Sequence, residues 1–235
     1  MSRKNMLLLA VAVLFVLSIP AAADLKIVQK THTGAIMGQQ TPDQTQAIYA
    51  TARYVRQDMG DKAAIIFDGN SGKMIMINMA DKTFSEIDAE QVKSMMAMAS
   101  GMLGEIKTTV TPTQKNAKVG NWNTQIWKVK MTSQMFNMDL DIYAAPEIKM
   151  PTVYDGFMKE WGLLQGPMGK MIEEMQKVKG YAVKSTGTME IMGQKVEMTT
   201  EVLEVSTNKL PESLFLIPKD FKKVEFNPMA LQGMK

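Results

Sequence analysis

The chain has 235 residues, 46% of them hydrophobic, with 27 Lys and Arg against 24 Asp and Glu and a formal net charge of +3. Scattered charges of nearly balanced sign exclude the basic footprint of a nucleic-acid binder. With no Cys and a single His, His32, the composition also excludes thiol catalysis, zinc–thiolate and iron–sulfur sites, and His-pair metal centres.

The first 23 residues read as a secretory signal peptide. Arg3 and Lys4 form a positive start, Met6 to Ile19 is apolar apart from Ser18, and Pro20 precedes the small-residue site Ala21-Ala22-Ala23. The apolar run is shorter than the roughly 20 residues that span a bilayer, which argues against an anchor. Without Cys, lipid attachment of the bacterial lipoprotein kind is ruled out. We therefore expect cleavage near Ala23 and a periplasmic or secreted protein. Removing Arg3 and Lys4, with no acids, takes the net charge from +3 to about +1.

The mature segment, residues 24–235, reads mostly as antiparallel strands of a single domain. Leu25 to His32 is a first extended run, and a polar stretch from Thr33 to Thr45 follows it. Gln46 to Met59 reads as a second extended region, long or bent. Ala63 to Phe67 is a short apolar strand, and Asp68-Gly69-Asn70-Ser71-Gly72 carries the turn chemistry of a hairpin into Lys73 to Met79. Ala80-Asp81-Lys82 turns again into Thr83 to Ile87, which completes a meander.

A helix is predicted next. Asp88 and Gln91 resemble a capping box, Val92, Met95, Met96, Ala99, Met102 and Leu103 recur at helical spacing, and Gly104 closes the segment.

Strict alternation returns downstream. Trp127, Val129 and Met131 share one face against Lys128 and Lys130. Phe136, Met138, Leu140, Ile142 and Ala144 oppose Asn137, Asp139, Asp141 and Tyr143. Each is a half-buried strand with one wet face. Trp122 and Trp127 have opposite parity, so one of the two is expected to face the core. Asp139 and Asp141 lie on the wet face without a third acidic ligand, as a solvated strand surface does.

A second helical region spans about Val153 to Val178, with a break at Gly166-Pro167. Phe157, Trp161 and Leu164 line one face of its first half. Met168, Met171, Ile172, Met175 and Val178 line the second half, with Gly180 as a C-terminal cap. Val196, Met198, Thr200 and Val202 then repeat the strand pattern. The strands need one apolar surface covered, and the helices are the natural cover. The fold class is α+β: a single curved antiparallel sheet, or half-barrel, covered by Met-rich helices.

The stretch RYVRQDMGDKAAIIFDGNSGKMIMINMADKTFSEID, Arg53 to Asp88, and the tail LPESLFLIPKDFKKVEF, Leu210 to Phe226, resemble an exported bacterial family of domains of unknown function. The order of elements resembles the lipoprotein-carrier layout of the LolA, LolB and LppX-like proteins. That resemblance implies a half-barrel whose apolar concave face accepts acyl chains. It transfers no binding residue.

Methionine accounts for 24 of the 235 residues, and its flexible thioether side chain suits a deformable apolar lining. The candidate lining is Met95, Met96, Met102, Leu103, Phe157, Trp161, Met168, Met171, Ile172 and Met175. The expected role is non-enzymatic binding or shuttling of a lipid or other apolar ligand, with an unidentified envelope protein as partner and with no catalytic residue, metal, cofactor or nucleic acid. Two alternatives stand beside it. One is a Cu(I)-binding envelope protein, because Met168, Met171 and Met175 recur at i, i+3 and i+7 and thioethers suit that ion; His32 would be a further ligand. The other is a structural or stress protein with a filled core. Arg53 and Arg56 fall on opposite faces of a regular strand and read as solvated surface charges, with an acid or a lipid headgroup as the alternative partner of one of them.

Overall fold

The computed structural model describes residues 24–35, 38–88, 106–134, 136–164, 169–191 and 193–226. The first strands form a meander: β1 (Leu25–Thr33), β2 (Gln44–Ala50), β3 (Tyr54–Met59), β4 (Ala63–Asp68), β5 (Lys73–Asn78) and β6 (Thr83–Ile87). A second meander comprises β7 (Lys107–Val119), β8 (Trp122–Thr132), β9 (Phe136–Ala145), β10 (Tyr181–Ile191) and β11 (Gln194–Ser206). Helices α1 (Val153–Leu164) and α2 (Gly169–Met175) lie between β9 and β10 in the chain, and β12 (Lys222–Lys223) closes it.

All twelve strands join one open curved sheet in the order β12-β6-β5-β4-β3-β2-β1-β11-β10-β9-β8-β7. The two meanders meet where β1 pairs antiparallel with β11, with Ile27 opposite Val205 and Thr31 opposite Thr200. The first strand of the chain thus sits at the centre, and β6 and β7, consecutive in sequence, lie toward opposite edges.

The predicted long strand Gln46 to Met59 is two strands. The Thr51 hydroxyl accepts the backbone N–H groups of Arg53 at 3.1 Å and Tyr54 at 2.9 Å. A hydroxyl that satisfies two successive amides offers the backbone a turn in place of a ladder. The other turns follow their sequence signals. Asp68 Oδ1 accepts the Asn70 N–H at 3.0 Å, and the Gly72 N–H donates to Asp68 O at 2.8 Å.

Alternation sorts the side chains onto two faces. The inner face, toward α1 and α2, carries Leu25, Ile27, Ile48, Val55, Ile65, Phe67, Met74 and Met76 in one buried cluster with Val153 and Phe157 of α1. It continues into a second cluster of Val110, Trp127, Val129, Met131, Ile142 and Ala144, against which Met175 and Val178 pack. Each fully buried aliphatic or aromatic side chain of this kind contributes roughly 1.5–3 kcal/mol. Both tryptophans reach apolar surroundings: Trp127 lies in the second cluster and Trp122 packs, partly buried, against the first.

The outer face of β4 and β5 is also apolar, with Ala64, Ile66 and Ile77 buried and Ile75, Phe84 and Phe221 beside them. The C-terminal segment covers it. Phe215, in a short 3-10 helix (Glu212–Phe215), stacks on Tyr54 with centroids 5.3 Å apart. Farther on, β12 pairs parallel with β6. The remaining outer face is wet and carries cross-strand pairs: Lys128 with Asp141 at 3.1 Å, Lys130 with Asp139 at 3.4 Å and Lys26 with Glu204 at 2.9 Å. Asp139 and Asp141 are therefore lysine-paired surface carboxylates. Among the described residues no helix is long and apolar enough to cross a membrane.

Candidate functional site

A hollow of about 880 Å³ opens between the inner face of the second meander and the helical layer. Its apolar floor is Val129 and Met131 from β8, Leu140 and Ile142 from β9 and Ala182 from β10. Leu140 and Ala182 are half-buried, so the apolar surface they present is only partly covered. Met150 and Tyr154 wall one side, and Met175, Gln176 and Val178 wall the other. Lys149, Asp155 and Lys159 also line it, and all three are exposed, which places the charge at the mouth.

The floor turns polar toward the centre of the sheet. Gln29, Tyr181, Ser185 and Thr200 also line the hollow. The Tyr181 hydroxyl donates to Gln29 Oε1 at 2.8 Å, and Gln29 Nε2 donates to Gln46 Oε1 at 3.2 Å. Gln57 Nε2 donates to the same Gln46 oxygen at 3.4 Å. Thr31 and Thr200 share a hydrogen bond of 2.9 Å. A row of amides and hydroxyls thus crosses the inner face from β3 to β10. Burial pushes the Tyr181 hydroxyl well above its ordinary value, with Tyr154 adding to the shift. Burial likewise pushes Tyr154 up to about 12, and the Asp155 charge contributes. Both phenols stay protonated at physiological pH, so Tyr181 remains a donor to Gln29.

Helix α1 is held over the sheet by close contacts. A Cβ on Gly69, in the β4–β5 turn, would lie 2.4 Å from Val153 Cγ2, so only glycine lets the turn tuck beneath the start of α1. Gly180, the expected cap, has φ +97°, and a Cβ there would lie 2.3 Å from the Ala145 carbonyl oxygen. It lets the chain leave α2 and turn directly into β10 beside the end of β9.

The predicted lining residues separate. Met175 lines the hollow. Phe157 is fully buried in the first cluster, 5.9 Å from Tyr154 and 6.2 Å from Phe67 between ring centroids, and anchors α1. Met95, Met96, Met102, Leu103 and Met168 lie outside the described residues, as do the side chains of Trp161, Met171 and Ile172. The floor residues and the polar row were missed as a site. A signal existed for the row: Gln29 shares parity with Leu25 and Ile27, Gln46 with Ile48 and Ala50, and Gln57 with Val55 and Met59. Three glutamines at apolar positions of three neighbouring strands mark a polar row on a buried face.

His32 is exposed on the outer side of β1, with Nδ1 2.7 Å from Asp43 Oδ1, and so faces away from Met175. Among the described residues no group of three His, Cys, Asp or Glu side chains is placed to hold a metal ion. The two arginines do not behave as free surface charges. Arg53 lies in the turn before β3, binds Asp68 through Nε at 3.0 Å and a second nitrogen at 2.9 Å, and sits 4.6 Å over the Tyr54 ring. Arg56 donates to Asp58 at 2.6 Å and to the Leu214 carbonyl at 2.7 Å, which ties β3 to the C-terminal segment.

A family model described as a domain of unknown function, DUF4412, matches residues 45–221. No curated protein matches the chain in sequence. Among solved structures, PNGF-II overlaps 91% of this chain with a TM-score of 0.44 and 9% identity, and the chain spans 32% of that protein's length. An outer membrane lipoprotein-sorting protein domain from Vibrio parahaemolyticus overlaps 82% of this chain and 89% of its own, with a TM-score of 0.32 and 7% identity. Likeness at these levels carries nothing about ligand or activity.

Proposed function

We propose that this chain, which belongs to the family of domains of unknown function DUF4412, holds an apolar or acyl ligand in the hollow between sheet and helices, in the cell envelope after export, and catalyses no reaction. The observation that carries this reading is the apolar floor beneath Met175 and Val178, buried at Val129, Met131 and Ile142 and only partly covered at Leu140 and Ala182. The hollow of about 880 Å³ is of the size that small-molecule sites occupy, roughly 300–1,000 Å³. Each methylene moved from water onto such a surface contributes about 0.8 kcal/mol, which suffices to hold an acyl chain without covalent chemistry. Met131 and Met175 adapt their side chains to the chain's shape. Lys149 and Lys159 at the mouth keep the entrance wet.

Titration with a fluorescent fatty-acyl probe tests the reading. The wild type should bind the probe, and Ala182→Phe, which fills the floor, should weaken binding at least tenfold while the protein stays folded. A stable wild type that takes up no probe overturns it.

A further inference from the structure

We infer that the polar row on the inner face is a headgroup subsite, and that the occupant of the hollow is an amphiphile whose head presents uncharged carbonyl acceptors, such as an ester or amide. The inference rests on the acyl-binding reading above and specifies the ligand's other end.

Gln29 Oε1 is taken by the Tyr181 hydroxyl, and Gln46 Oε1 receives both Gln29 and Gln57. The amide oxygens of the row are thereby engaged by the protein itself. The donors are not used up. Gln29 Nε2 spends one of its two protons on Gln46. Thr31 and Thr200 share one bond, so one of their two hydroxyl protons is left over. The Ser185 hydroxyl, on the hollow's lining, makes no hydrogen bond to any described residue. Ser185 pairs with Thr200 and Thr200 with Thr31 across neighbouring strands, and Gln29 lies two residues from Thr31 on the same face. Three spare donors are grouped on one stretch of wall.

A plain hydrocarbon laid over them would strip their water and return nothing. A carboxylate would find donors there but no cation, since Lys149 and Lys159 stand at the exposed mouth, and a buried anion without a counter-charge is unfavourable. A neutral carbonyl oxygen accepts from such donors without that penalty. The tail then extends over Leu140, Ile142 and Met131, which continue the same face.

Competition against a bound fluorescent acyl probe separates the classes, with 1-monooleoylglycerol and ionised oleate as competitors of equal chain length. The wild type should bind monooleoylglycerol about tenfold more tightly than oleate, the ratio expected of one or two net hydrogen bonds. The triple variant Ser185→Ala/Thr31→Val/Thr200→Val, which leaves only the Gln29 amide among the spare donors, should lose most of that preference, and Ser185→Ala alone should lose part of it. Thermal unfolding of each variant confirms that it is folded. Equal affinities in the wild type, tighter binding of oleate, or a preference undiminished in the triple variant overturns the headgroup subsite while leaving the acyl site standing. Failure of both competitors and of the probe to bind overturns the acyl-binding reading itself.

Discussion

Phe157 of α1 meets Phe67 of β4 with ring centroids 6.2 Å apart and planes tilted by 52°, and neither ring is more than 5% exposed. This pair fixes the helical layer to the first meander, one ring contact from Tyr154 in the hollow's wall, and a Cβ added at Gly156 would lie 3.4 Å from the same Phe67 ring. The roof is therefore anchored on the first meander and reaches over the second. Phe157→Ala should destabilise the fold by about 3–5 kcal/mol, the usual effect of emptying a buried aromatic position. Chemical denaturation measures it, and a loss below 1 kcal/mol would show that α1 is held by other contacts.

The C-terminal segment acts as a strap on the outer face. Phe215 stacks on Tyr54, and Arg56 donates to the Leu214 carbonyl at 2.7 Å. Phe215→Ala should lower stability by about 3 kcal/mol without changing probe binding, because the strap and the hollow lie on opposite faces. A variant that loses binding while staying folded would link the two faces and contradict that separation.

Acid should loosen the same region. The Arg53 guanidinium holds the Asp68 carboxyl far below the usual carboxylate range, with the Asn70 N–H and the Ser71 side chain assisting. A carboxyl depressed in the folded state contributes stability above its unfolded value, near 4, and that contribution is lost as pH falls toward the folded value. Urea midpoints should therefore drop from about pH 5 downward. They should drop less steeply in Asp68→Asn, leaving the smaller share from Asp43, Glu86 and Asp220, which are also lowered. An unchanged slope in Asp68→Asn would remove Asp68 from this account.

Thr108 on β7 carries a buried hydroxyl oxygen with no hydrogen-bond partner, and the Trp127 indole nitrogen on the neighbouring strand is in the same condition. Thr108→Val keeps the shape and removes the orphan. It should raise stability by about 1 kcal/mol, read as an upward shift of the denaturation midpoint. A loss of that size would mean the hydroxyl has a partner in solution.

The strands were readable because one face of each is buried and the other is wet. Phe136 to Ala145 alternates for that reason, and its sequence-derived limits differ from the strand's by one residue. The break at Thr51 was not readable, since it depends on one hydroxyl accepting two amides in a stretch with good strand composition. The hollow was hardest to see. Gln29, Ser185 and Thr200 look like ordinary polar strand residues one at a time, and they become neighbours only when β1 pairs with β11 across more than 160 residues of chain. Helical periodicity led instead to the methionine stripes. Of these Met175 does line the hollow, whereas Phe157, with the same spacing signal, is core. Periodicity reports which side is apolar and not whether that side is filled.

Native mass spectrometry of the protein purified from its own envelope reads the occupancy of the hollow itself. A bound acyl ligand should give a population heavier than the polypeptide by the mass of one acyl-bearing molecule, released on gentle activation and absent in Ala182→Phe. The mass of the bare polypeptide alone, from folded wild-type protein, would contradict it.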